Sequence, residues 1–161
     1  MWRQKGAGLD EEGLKQAIKS SIQTEKDAMD FYLCAAERVV NERPRLTFKL
    51  LSREEREHAR SFYDAYRWND LPPFDELMAA PPDTDSPWWT ELQKTLLGDF
   101  DEEKALALAI RREAELEEAL RKIAEQVDDE AVRQVYLSNA KMTHRHLELI
   151  SEDYRIAQSS G

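Results

Sequence analysis

The sequence predicts an all-α protein, a four-helix bundle with a long crossover between its second and third helices, and three observations carry that reading. Apolar residues recur at three-and-four spacing over long stretches, the period of a helix with one buried face. Charged residues make up 35% of the chain and glycines number only five, which suits long amphipathic helices better than strands. Five prolines (Pro72, Pro73, Pro81, Pro82 and Pro87) fall in one segment, so no long helix can cross it. At 161 residues the chain is expected to form one domain over 1–161.

The first helix is expected over 10–41, with Asp10 as its cap and Glu11 and Glu12 in its first turn. Its inner stripe is Leu14, Ala17, Ile18, Ser21, Ile22, Glu25, Ala28, Met29, Tyr32 and Ala36. The second is expected over 44–68, beginning at Pro44 and carrying Leu46, Phe48, Leu50, Leu51, Phe62, Ala65 and Tyr66. The proline-rich crossover takes 69–99, with short helices possible at Phe74 to Met78 and Trp88 to Leu97. It is too long for a tight turn, and the Trp88-Trp89 pair is expected to pin it to the helices or to a second subunit, which makes a homodimer the expectation. The third helix, 100–126, opens on Asp101, Glu102 and Glu103 and buries Leu106, Ala109, Ile110, Glu113, Leu116, Leu120 and Ile123. The fourth, 129–156, buries Val132, Val135, Asn139, Met142, His146, Leu149, Ile150 and Tyr154.

Charge and cysteine content narrow the function. Thirty-three acids against 23 bases, a net charge of -10, oppose nucleic acid and anionic membrane as partners and suit cations. The lone Cys34 has no internal disulfide partner, and no Cys-x-x-Cys pair exists to hold zinc or a rubredoxin-type iron, so any electron donor is expected to be another molecule. The opening residues lack a signal-peptide core and no run approaches the ~18 apolar residues of a membrane span, so a soluble cytoplasmic protein is expected.

The informative residues are those that interrupt the apolar stripes. At about 100° per residue, Leu51, Glu55, His58 and Phe62 share one face of the second helix. A Glu and a His one turn apart there can bind a metal ion through a carboxylate oxygen and an imidazole nitrogen. Glu25 and Glu113 each break an apolar stripe at mid-helix, and His146 lies inside the fourth. A buried acid must be paired, protonated or metal-bound, because leaving it bare costs several kcal/mol. His144, ~200° from His146, is expected in solvent.

One register joins these residues. A shift of 88 superposes Glu25 on Glu113 and His58 on His146, and also Ile22 on Ile110, Ala36 on Ala124, Arg45 on Arg133 and Tyr66 on Tyr154. Two related helical hairpins, each with an inward Glu on its first helix and an inward His on its second, would bring those side chains to one level of a bundle core.

The order Glu25, Glu55-x-x-His58, Glu113 and His146 on four long helices resembles the ferritin-like di-iron carboxylate proteins. The phrases from Glu25 to Tyr32 and from Glu54 to Phe62 are most similar to rubrerythrin, here without its rubredoxin domain. The resemblance implies one or two iron ions held by Glu25, Glu55, His58, Glu113 and His146, with Glu25 and Glu113 terminal and Glu55 bridging. It implies an oxidoreductase that acts on peroxide or on ferrous iron with an external electron donor.

Two departures qualify it. The repeat puts Thr143 where a second bridging Glu belongs, and Leu116 stands where the family often has another acid; Glu117, one residue on, could reach inward in compensation. Three carboxylates neutralise two divalent ions incompletely, so the second ion should bind more weakly. Three readings follow: a peroxidase or ferroxidase, a bundle that holds iron, manganese or zinc without turnover, and a metal-free interaction protein.

Overall fold

The computed structural model describes residues 8–96 and 101–160, and among them every regular element is a helix. The long ones are α1 (Glu11–Arg38), α2 (Glu42–Ala65), α5 (Glu102–Gln126) and α6 (Glu130–Ser159). Between α2 and α5 lie two short ones, α3 (Phe74–Ala79) and α4 (Pro87–Leu96). The result is an all-α bundle built from two antiparallel hairpins, α1 with α2 and α5 with α6. No helix among the described residues is long and apolar enough to cross a membrane.

Local chemistry sets the helix ends. The side chains of Asp10, Asp101 and Asp129 accept from the backbone N–H of Gly13, Lys104 and Val132 at 2.7, 3.2 and 3.0 Å. Each such cap contributes about 1 kcal/mol. At Val39 and Val127 the backbone turns extended and ends α1 and α5, and both valines are buried under the turn. These two residues are themselves 88 positions apart, so the repeat extends to the hairpin corners. Helix α2 starts at Glu42, two residues before Pro44, whose missing N–H would have had no intrahelical partner in the first turn. The expected start at Phe100 lies outside the described residues.

Two apolar clusters fill the interior. One is formed by Ile18, Ile22, Phe62, Leu116, Leu120 and Tyr136 among others. The other holds Phe31, Tyr32, Phe48, Leu51, Leu106 and Ile150, closed by Trp88 and Leu92 of α4. Along α2 the chain passes from Leu51 in the second cluster to Phe62 in the first, and Glu55 and His58 fall between. The same crossing puts Glu113 between Ala109 and Leu116 on α5, and His146 between Ala140 and Ile150 on α6. A polar layer thus separates the two apolar clusters.

Several expected positions differ. Leu46, Leu50 and Leu149 are 56%, 36% and 45% exposed, because they sit one or two residues, hence 100–200°, off the faces defined by Phe48, Leu51 and Ile150. The tryptophan pair is no exposed patch. Trp88 is buried against Phe31 and Tyr32, with ring centroids 5.1 and 5.7 Å apart, and Trp89 is half-buried against the same cluster. The crossover is pinned to its own bundle, and the argument for a homodimer from that pair falls with it.

Candidate metal centre

All four long helices contribute to the polar layer. Glu55 and His58 are one turn apart on α2, Glu25 comes from α1, Glu113 from α5 and His146 from α6, and all five are buried. The two imidazoles stack, with centroids 5.2 Å apart and planes within 9°. Glu55 lies between them: Oε1 is 3.0 Å from His146 Nδ1 and Oε2 is 3.5 Å from His58 Nδ1. Each histidine also has its own outer acid. Glu25 Oε2 is 3.6 Å from His58 Nδ1, and Glu113 Oε1 is 3.9 Å from His146 Nδ1. The repeat read from the sequence is therefore present as an approximate two-fold arrangement about Glu55.

The centre's hydrogen bonding is incomplete from within. Both oxygens of Glu25, Oε2 of Glu55, Oε2 of Glu113 and Nδ1 of His58 are buried without a hydrogen-bond partner. Several buried acceptors facing each other cost several kcal/mol, and a cation among them removes that cost. Ligand atoms of Glu55, His58 and His146 all lie within 4.8 Å of one another. Carboxylate oxygen with imidazole nitrogen suits iron, manganese or zinc, so the residues present fit a metal ion.

The protonation pattern reflects the same crowding. Burial, reinforced by the charge of Glu55, holds Glu25 well above the usual carboxylate range. Burial and Glu113 push Glu55 up, but Glu25, His146 and His58 outweigh them and hold it below its ordinary value. Burial opposes charge on both histidines, yet the carboxylates prevail: Glu25 and Glu55 raise His58 to about 10, and Glu113 and Glu55 raise His146 to about 11. Without metal, protons balance the acids, and metal must displace them.

Two neighbours complete the centre. The Tyr32 hydroxyl donates to Glu113 Oε1 at 2.5 Å, and burial together with Glu113 raises its pKa. Glu54, which the sequence reading did not single out as a site residue, accepts from His146 Nε2 at 2.5 Å. An outer carboxylate of this kind fixes the ring's orientation and strengthens its other nitrogen as a ligand. Glu54 is adjacent to Glu55 and so stands ~100° off the inward face, where a helical pattern counts it as surface.

The substituted positions are equally definite. Thr143 is fully buried, and its hydroxyl turns back to donate to the Asn139 carbonyl at 2.8 Å. Leu116 is buried in the apolar cluster. Glu117 is not brought to the centre: its Oε1 lies 2.8 Å from Nδ1 of the exposed His144, and Arg121 donates to its other oxygen at 3.0 Å. It sits ~100° past Leu116 and faces outward. Tyr66 is also elsewhere, donating to Asp70. A cleft of about 530 Å³ between α2 and α6 reaches the edge of the centre at His58, beside Glu54, Ser61, Asn139 and Met142.

A family model described as Rubrerythrin matches residues 16–154, a span that contains the five clustered residues. No curated protein and no solved structure matches the chain. With that match over most of its length and an all-α bundle whose core carries the acids and imidazoles such proteins use, the chain belongs to the rubrerythrin family of ferritin-like di-iron carboxylate proteins.

Proposed function

We propose that this chain is a non-haem iron protein whose centre is held by Glu25, Glu55, His58, Glu113 and His146, and that it works as an oxidoreductase on peroxide or ferrous iron. The observation that carries this reading is the set of buried ligand atoms without partners on Glu25, Glu55, His58 and Glu113. Glu25 with His58 would hold one ion and Glu113 with His146 the other, Glu55 serving both. Bound iron supplies reversible one-electron chemistry that no side chain here provides. Tyr32 steadies Glu113 through its hydroxyl, Glu54 holds the His146 ring, and the cleft at His58 gives a small substrate a way in. A separate molecule would donate the electrons.

A second reading, metal binding without turnover, is favoured by one observation. The Thr143 hydroxyl is committed to a backbone carbonyl, so one face of the centre lacks a bridging acid. Two divalent ions would then meet only the three carboxylates of Glu25, Glu55 and Glu113, and the second would bind weakly.

Metal analysis of protein purified from its own host, followed by stopped-flow mixing of the ferrous protein with peroxide, separates the readings. Rapid oxidation of bound iron with consumption of peroxide, repeated after chemical reduction, is expected for the enzyme. Retained iron with no faster oxidation than free ferrous ion would leave the binding reading. Protein devoid of metal would overturn both.

A further inference from the structure

A second cavity lies at the end of the bundle where the α1–α2 corner meets the start of α5 and the end of α6. It is about 320 Å³ and is lined by Asn41, Arg43, Glu102, Glu103, Asp153 and Ser160 among others. Asp153 is 95% buried, an unusual place for an aspartate on a helix far from the metal centre. Its Oδ1 accepts from Arg43 Nε at 2.7 Å, but its Oδ2 is buried with no partner. Glu102 repeats the pattern. Its Oε2 accepts from the Asn41 amide at 2.6 Å, and its Oε1 is buried with no partner.

We propose that this cavity is a site for a hard divalent cation of the magnesium or calcium class, held by Asp153 and Glu102 and distinct from the iron centre. Apart from the Arg43 guanidinium, the polar lining is oxygen-bearing: the carboxylates of Asp153, Glu102 and Glu103, the Asn41 amide and the Ser160 hydroxyl, with no imidazole or thiol. That donor set selects hard cations over iron or zinc. Asp153, Glu102 and Glu103 carry three negative charges against the single positive charge of Arg43, which leaves two for a divalent ion to neutralise. The space holds roughly ten waters' worth of volume, room for an ion that keeps part of its hydration shell.

The two sites are separate. Asp153 follows His146 by seven residues on α6, about 10 Å along the axis, and the fully buried Ile150 and Leu106 lie between. Arg43 and Asn41 belong to the first hairpin and Glu102 and Asp153 to the second, and their two hydrogen bonds join the hairpins beside the site.

Titration of the full chain with Mg²⁺ and, separately, Ca²⁺, by calorimetry and by thermal midpoint, tests this. At least one ion is expected to bind saturably and raise the midpoint. Asp153→Asn and Glu102→Gln should each weaken that response by about tenfold or more while leaving iron content unchanged. Arg43→Gln should strengthen it, since a neighbouring positive charge is lost; a merely structural Arg43–Asp153 pair would give the opposite sign of cation dependence or none. His58→Ala, aimed at the proposed iron centre, should leave the response intact. No response to either ion, a response that survives Glu102→Gln and Asp153→Asn unaltered, or one that disappears with His58→Ala would each overturn the proposal.

Discussion

Glu54 reaches from α2 to His146 on α6 and accepts from its Nε2 at 2.5 Å. The opposite nitrogen of that ring faces Glu55 at 3.0 Å, so the imidazole is held between a carboxylate of the centre and one at its edge. Glu54→Gln keeps the shape and loses the charge. Metal affinity is expected to fall roughly tenfold to a hundredfold, read by competition with a chelator, while circular dichroism stays unchanged. Unaltered affinity would make Glu54 a surface residue that happens to lie near.

Glu25→Leu separates metal binding from folding. Neither oxygen of the buried acid has a hydrogen-bond partner, and His58, 3.6 Å away, keeps Glu55 as its counter-charge, so an apolar side chain of similar size at this position should raise the thermal midpoint of metal-free protein. Bound metal should fall by about one ion per chain. A lower midpoint together with undiminished metal would show that Glu25 serves the fold alone.

The pH dependence of the metal-free protein has a definite sign. His58 and His146 are raised from 6.5 to about 10 and about 11, so the folded state holds these protons more tightly than the unfolded chain does. Their contribution is fully present below 6.5 and is lost as pH rises through 10 to 11. Glu25, raised instead by burial and by the charge of Glu55, also holds its proton more tightly when folded and so acts in the same direction. Metal-free protein should lose thermal stability steadily from neutral to alkaline pH, and metal affinity should rise over the same interval. A midpoint that is flat or climbs between pH 7 and 10 would contradict the charge arrangement.

Thr143→Glu should restore the missing acid. The position is fully buried on the face of α6 that carries His146, and the repeat aligns it with Glu55. The expected result is stronger retention of a second ion per chain, measured by elemental analysis after gel filtration. The metal-free variant should be less stable, because one more carboxylate is confined there.

Much of this was legible in the sequence because an acid or imidazole inside an apolar stripe is conspicuous. Glu25, Glu113 and His146 each interrupt a run that otherwise repeats every three or four residues. Glu54 was hidden because a residue next to an inward one lies ~100° away and is counted as surface, although a glutamate is long enough to reach back. Glu117, at the same offset from its own stripe, turned outward to His144 and Arg121, and nothing in the helical pattern distinguishes the two cases. For Trp88 the sequence left two partners open, the bundle's own helices or a second subunit, and the first is the one found. In a proline-rich segment no period exists to assign a face, and its burial depends on where the crossover lies against α1. Leu46, Leu50 and Leu149 show the reverse error, apolar residues assigned inward by chemistry when their angle puts them outside.

The burial of Trp88 has a practical consequence. Its indole is 5.7 Å from the ring of Tyr32, whose hydroxyl is bound to Glu113. Loading the centre draws Glu113 toward a cation and changes the field felt by both rings, so this indole becomes an intrinsic fluorophore for occupancy. Emission should dim as ferrous ion is added, and Trp88→Phe should abolish most of that quenching, giving a label-free readout of filling that uses only light.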